Sequence, residues 1–133
     1  MKIALYGPNG TIGKRILDEA LGRGHEVTAV VRDPSKFTEV NQNLFVEKRD
    51  IMDPASVASI AAGKDVVISA FGPGRGDPRL LLAAAHSLIA GRPNRLIVVG
   101  GAGGLEVAPG VQLVDTPDFP AAWKQLALGV CRR

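Results

Sequence analysis

Apolar residues fall in short runs separated by segments with helical spacing. Lys2–Tyr6, Glu26–Val31, Leu44–Lys48, Asp65–Ala70 and Arg95–Val99 are rich in β-branched or aliphatic residues, and each predicts a strand. Between them, the spacing predicts a helix over Thr11–Arg23 and one from Asp53-Pro54 to Ala62, closed by Gly63. The longest predicted helix runs from Asp77-Pro78 to about Ala90, with Gly91 and Pro93 as its stop. Aspartate followed by proline is an N-cap and first-turn pair, so both Asp-Pro steps mark helix starts. A short strand over Gln112–Val114 and a helix from about Pro117 to Leu128 complete the pattern. The five strands lack the half-polar alternation of a one-faced sheet. They predict an α/β fold: a doubly wound parallel sheet of about five strands, with helices on both faces.

In the first helix, Ile12, Ile16, Ala20 and Leu21 are expected to share the buried face. Lys14–Asp18 and Arg15–Glu19 are expected to form exposed pairs one turn apart, and Gly22 and Gly24 to end the helix.

The turn between the first strand and this helix is Gly7-Pro8-Asn9-Gly10-Thr11-Ile12-Gly13. Strand, glycine-rich turn and helix in that order form a pyrophosphate site in Rossmann-like folds. Gly7 would permit the sharp turn, Gly10 the close approach of a phosphate to the backbone, and Gly13 tight helix–strand packing. The unpaired N–H groups of the first helical turn and the helix dipole would draw the anion. Glycine makes up 16 of the 133 residues, so the spacing alone is a weak sign. Its position, one strand in and directly before an amphipathic helix, strengthens it.

Composition adds limits. A chain of 133 residues with 46% hydrophobic residues fits a single domain with a real core. Of the net charge of +3, two charges sit on Arg132 and Arg133, and the other basic residues are scattered. No nucleic-acid face is therefore expected. The single cysteine, Cys131, forms no intramolecular disulfide. The longest apolar run, Leu80–Ala85, is too short to span a bilayer. No signal peptide precedes the first strand, and a soluble, cytoplasmic protein without metal or membrane partner is expected.

The end of the second strand bears on the cofactor. A carboxylate there holds the ribose hydroxyls of NAD, whereas cations suit the 2′-phosphate of NADP. Here Arg32 follows the strand and Lys36 comes one turn later, while Asp33 precedes Pro34 and suits a helix cap. NADP(H) is favoured, with NAD(H) as the alternative. The bland reading makes Arg32 and Lys36 solvated surface charges.

To about Gln125 the chain resembles the atypical short-chain dehydrogenase/reductase superfamily. The likeness is greatest to single-domain NAD(P)H-binding proteins related to flavin reductases and nitrogen-metabolite-repressor-like proteins. The glycine turn, Val31-Arg32-Asp33-Pro34, Asp50-Ile51, Ser69-Ala70-Phe71-Gly72, Val98-Val99-Gly100-Gly101-Ala102-Gly103 and Pro117-Asp118-Phe119-Pro120 carry the resemblance. It implies that Gly7, Asn9, Gly10, Thr11 and Ile12 hold the pyrophosphate, and that Arg32 and Lys36 hold the 2′-phosphate. Asp50 and Ile51 would flank the adenine, although Asp50 could equally be an ordinary loop carboxylate. Ala70 and Gly72 would line the nicotinamide ribose, and Gly100, Gly101 and Ala102 the nicotinamide face.

Two features depart from that family. Its proton-donating tyrosine and lysine, four residues apart, have no counterpart, because the only tyrosine is Tyr6 and position 10 is glycine. Relatives often carry serine where Gly104 stands. His86, with Leu82 and Ala90 one turn either side, is expected to serve packing or an interface, and no catalytic residue is assigned. The chain is also shorter than the roughly 200 residues implied by the resemblance, which suggests a missing substrate side. An open sheet edge or the long helix would then support a homo-oligomer, unless Leu113, Phe119, Trp123 and Leu126 cap that edge. The leading expectation is an NADP(H)-dependent oxidoreductase that passes hydride to a planar small-molecule acceptor such as a flavin or quinone. The alternative is a non-catalytic NAD(P)-binding sensor or regulatory protein.

Overall fold

The computed structural model describes residues 1–72 and 79–100, and the backbone of the short strands 106–108 and 111–112. Residues 1–72 and 87–99 form one compact unit. Its strands are β1 (Lys2–Tyr6), β2 (Glu26–Val31), β3 (Leu44–Lys48), β4 (Val66–Ser69) and β5 (Leu96–Val98). They form an all-parallel sheet in the order β3-β2-β1-β4-β5. Helix α1 (Thr11–Gly22) links β1 to β2, and α2 (Pro54–Ala61) links β3 to β4. The two connections run in opposite directions across the sheet, so right-handed crossovers put α1 on one face and α2 on the other. This is a Rossmann-like fold, and its strand order reverses between β1 and β4.

Alternation along β1 divides the core. Ile3 and Leu5 pack with Leu17 and Ala20 of α1 and with Val27 and Val66, while Ala4 and Tyr6 point to the opposite face. Leu5, Leu17 and Val27 are fully buried. At about 2 kcal/mol each, such side chains carry much of the folding free energy.

The phase of α1 differs from the sequence expectation. Gly13, Leu17 and Ala20 are its buried residues, while Ile16 and Leu21 only flank the core and Ile12 is 53% exposed. The cause is Gly13, whose α-carbon sits against the Gly7 carbonyl so closely that a Cβ would collide with it. That contact turns the Gly13 side of the helix inward and Ile12 outward. Lys14 pairs with Asp18 at 2.8 Å, but Glu19 pairs with Arg23 rather than Arg15. Glutamate on the N-terminal side of its cation is the better arrangement on a helix.

Both Asp-Pro starts that fall within the described residues form caps. Asp53 accepts from the Ala55 N–H at the start of α2, and Asp33 accepts from the Ser35 N–H at the start of a 3-10 turn, Pro34–Lys36. Asp77-Pro78 lies outside the described residues, as does the expected helix over 117–128. Helix α3 is described over Arg79–Ala90, which matches the expected helix as far as the described residues reach. His86, Leu82 and Ala90 lie on its exposed side, so His86 is not an interior packing residue.

The two edge strands, β3 and β5, are only partly covered, and Phe45, Val46 and Ile97 are exposed. The expectation of strands buried throughout therefore holds for β1, β2 and β4 alone. Beyond the sheet, β6 (Glu106–Ala108) pairs antiparallel with β7 (Val111–Gln112). Of the predicted strand at Gln112–Val114, Gln112 falls in the second arm of this hairpin, and 113–114 lie outside the described residues.

Candidate functional site

Parallel strands of this order open a crevice beyond their carboxyl ends. A cavity of about 590 Å³ lies there, lined by Tyr6 from β1, Val30 and Val31 from β2, Arg49 and Ile51 after β3, and Phe71 after β4. Gly7, Pro8, Asn9 and Gly10 form its wall on the turn side, and Arg32, Asp33 and Lys36 the wall beyond β2.

The three glycines of the turn face different surroundings. Gly7 has φ +76°, a left-handed conformation, and a Cβ there would come within 2.7 Å of the Ala70 carbonyl oxygen. Gly13 is closed off by the Gly7 carbonyl. Gly10 is different: a Cβ would meet only the Gly7 oxygen at 3.7 Å, an ordinary contact. Nothing among the described residues requires glycine at position 10, whereas a ligand lying against the backbone would. Gly10 also caps α1 without a side-chain bond, and the first turn has no acidic residue. Its N–H groups and the dipole are left for an external anion. Lys14, on the same turn, is held by Asp18 and by Glu39 at 2.7 Å, and these hydrogen bonds raise its pKa.

On the opposite wall, Arg32 is exposed and makes no hydrogen bond or ion pair among the described residues. Asp33, the one carboxylate on the cavity lining among the described residues, directs Oδ1 to Ser35, accepting from its hydroxyl at 2.6 Å and from its N–H at 3.1 Å. Those two bonds hold its pKa below the usual carboxylate value. A second cavity of about 390 Å³ is lined by Arg32, Lys48, Arg49, Asp50, Asp53 and Ser56.

Of the residues expected from sequence, Gly7, Asn9, Gly10, Arg32, Lys36 and Ile51 line the first cavity, and Asp50 lines the second beside Arg32. Thr11 and Ile12 are exposed in the first turn of α1 and line neither. Ala70 and Gly72 also line neither, although Phe71 between them does. Gly100 is exposed outside the compact unit of the sheet, and Gly101 and Ala102 lie outside the described residues. Sequence reasoning missed Arg49 and Tyr6. Tyr6 is 2% exposed, its hydroxyl has no partner among the described residues, and burial pushes its pKa up to about 12 against the lowering field of Arg49. Such a phenol neither gives nor takes a proton readily near neutral pH. Among the described residues no group of acidic, histidine or cysteine side chains could hold a metal, and no helix is long and apolar enough to cross a membrane.

The profile of a family described as NAD(P)H-binding matches residues 7–128. The chain is 41% identical over 126 residues to YwnB of Bacillus subtilis (strain 168), a match covering 90% of this chain and 57% of that protein. A Burkholderia pseudomallei structure named as a candidate exported protein is 48% identical, with TM-score 0.84, over 97% of this chain and 62% of the other. A candidate NADH-flavin reductase from Streptococcus pneumoniae TIGR4 is 38% identical, with TM-score 0.79, over 98% of this chain and 62% of the other. The chain thus spans 57–62% of the length of these relatives.

Proposed function

This chain belongs to the NAD(P)H-binding family, and we propose that it is an NADP(H)-dependent reductase that serves a planar acceptor such as a flavin or quinone. The observation that carries the reading is the pairing of an open Gly10, at a helix start with no side-chain cap, with an Arg32 that has no partner among the described residues, on the facing wall of one cavity. These residues fit a dinucleotide. The N–H groups at the start of α1 would take the pyrophosphate, Ile51 and Val31 would offer apolar contact to the adenosine, and Arg32 with Lys36 would take the 2′-phosphate. When bound, the nicotinamide supplies a hydride. The chain's part is to hold and orient it, and solvent supplies the proton, since Tyr6 is too weak an acid to do so at neutral pH. The naming of the Streptococcus pneumoniae relative as a candidate NADH-flavin reductase supports the acceptor class.

The same Tyr6 favours a second reading, a nucleotide sensor without turnover, because position 10 is glycine and the chain's one tyrosine is buried. Calorimetric titration with NADPH and NADH, followed by NADPH oxidation with flavin and quinone acceptors, tests both readings. Tighter binding of NADPH, with most of the difference erased by Arg32→Ala, supports the cofactor assignment. A charge-assisted phosphate contact is worth about 1.5–3 kcal/mol, or roughly tenfold to more than a hundredfold in affinity. Equal wild-type affinities would sink it. Tight binding with no oxidation by any acceptor would favour the sensor.

A further inference from the structure

Arg49 is the first residue beyond β3, and its backbone N–H donates to the Val31 carbonyl at 3.1 Å. It therefore stands next to Arg32, at the ends of two neighbouring parallel strands. Arg32 and Arg49 are the two residues that line both cavities, so the pair forms the wall between them. Sequence order hides this neighbour, since 16 positions separate the two arginines.

The contacts of Arg49 leave part of its fork free. Nη1 donates to the Lys48 carbonyl at 2.9 Å and forms an ion pair with Glu47 Oε2 at 3.2 Å. One nitrogen thus anchors the guanidinium, while Nη2 and Nε make no bond among the described residues. An anchored fork loses less rotamer freedom when it binds, and its two remaining donors match two oxygens of a phosphate. The charge reaches the first cavity, because Arg49 acts electrostatically on the Tyr6 phenol there.

We propose that Arg49 is a specificity-determining residue for the 2′-phosphate, closing on it together with Arg32. The inference rests on the NADP(H) reading above and deepens it. Two guanidinium forks at adjacent strand ends suit a phosphomonoester dianion, whereas a ribose diol offers them no charge to meet. Selection for the phosphorylated nucleotide would then depend on a pair, one cation after β2 and one after β3.

The test uses the full chain and calorimetric titration with 2′,5′-ADP, 5′-AMP, NADPH and NADH. Arg49→Gln is expected to weaken 2′,5′-ADP and NADPH about tenfold or more while changing 5′-AMP and NADH less than about twofold. Arg49→Lys, which keeps the charge and loses the fork, should fall between. The Arg49 Nε–H resonance should move on titration with 2′,5′-ADP and stay in place with 5′-AMP. An unchanged thermal midpoint for Arg49→Gln would confirm that the variant is folded. If Arg49→Gln weakens NADPH and NADH equally, the residue acts on the shared part of the nucleotide and the proposal fails. If Arg49→Gln binds as wild type while Arg32→Ala loses the preference, the NADP(H) reading stands and the role of Arg49 is overturned. If the wild type does not distinguish NADPH from NADH, both fall together.

Discussion

Changing Gly10 and Gly13 to alanine, one at a time, separates ligand binding from folding within a single turn. At Gly13 the added Cβ would collide with the Gly7 carbonyl oxygen and sit 2.8 Å from the Gly7 carbonyl carbon and 3.2 Å from Pro8 Cα. All three are backbone atoms and cannot rotate aside, so α1 must lift from β1, where Leu17 is fully buried. Overpacking of this kind costs about 1–3 kcal/mol, with the upper end expected against rigid backbone. Better helix propensity returns somewhat under 1 kcal/mol. The net is about 2 kcal/mol, a fall of roughly 8 °C in thermal midpoint for a chain of this size. At Gly10 the nearest atom is 3.7 Å away, and φ −73°, ψ 168° suits any residue. The weaker N-cap and the stiffer unfolded chain nearly cancel, so the midpoint should move by no more than about 3 °C. NADPH affinity of Gly10→Ala should nevertheless drop at least about tenfold, because the methyl group would occupy the surface proposed for the pyrophosphate. Scanning calorimetry without ligand and titration with NADPH measure the two effects. A Gly10→Ala variant that binds like wild type would remove the pyrophosphate from this turn, and a Gly13→Ala variant of unchanged stability would refute the packing argument.

Tyr6 is the only tyrosine, so absorbance at 295 nm reports its ionisation directly and should show a midpoint near 12. Its folded pKa lies above the unfolded value of 10.0, so its contribution to stability is full below pH 10 and is lost between about 10 and 12. With solvent screening the loss is no more than about 2 kcal/mol, and a titration midpoint near 10 would show the phenol to be solvated. Asp53→Ala removes the cap of α2 and should cost about 1 kcal/mol in urea unfolding; no change in the midpoint would show the cap bond to be idle.

The strand boundaries of β2 and β3 were legible because they rest on local chemistry. A β-branched run ends in Arg32-Asp33-Pro34, where proline and the Asp33 cap stop the ladder, and Asp53-Pro54 does the same work for α2. What stayed hidden depends on partners distant in sequence. Hydrophobicity assigns Ile12 to the buried face of α1, and only the approach of Gly13 to Gly7 explains why Leu17 takes that place. The coverage of β3 and β5 follows from their edge positions, which the order of strands along the chain does not disclose. The β6–β7 hairpin is made of strands with 3 and 2 residues, too short for a period to register.

The same distinction governs the candidate site. The glycine turn and Arg32 are local signals, but the field around the proposed 2′-phosphate position is set by register, which brings Arg49 beside Val31. Among the described residues, the first cavity is thereby lined by three cations, Arg32, Lys36 and Arg49, against one carboxylate, Asp33. Asp33 stands where an NAD-binding protein would hold the ribose, and by position alone it would favour that cofactor. Its Oδ1, however, is turned to Ser35, and the surrounding charge is positive by two, from three cations less one carboxylate. A ribose diol would leave that excess uncompensated. A phosphate dianion would neutralise it, and it would do so at adjacent strand ends, where the two guanidinium forks offer charge-assisted bonds to its oxygens.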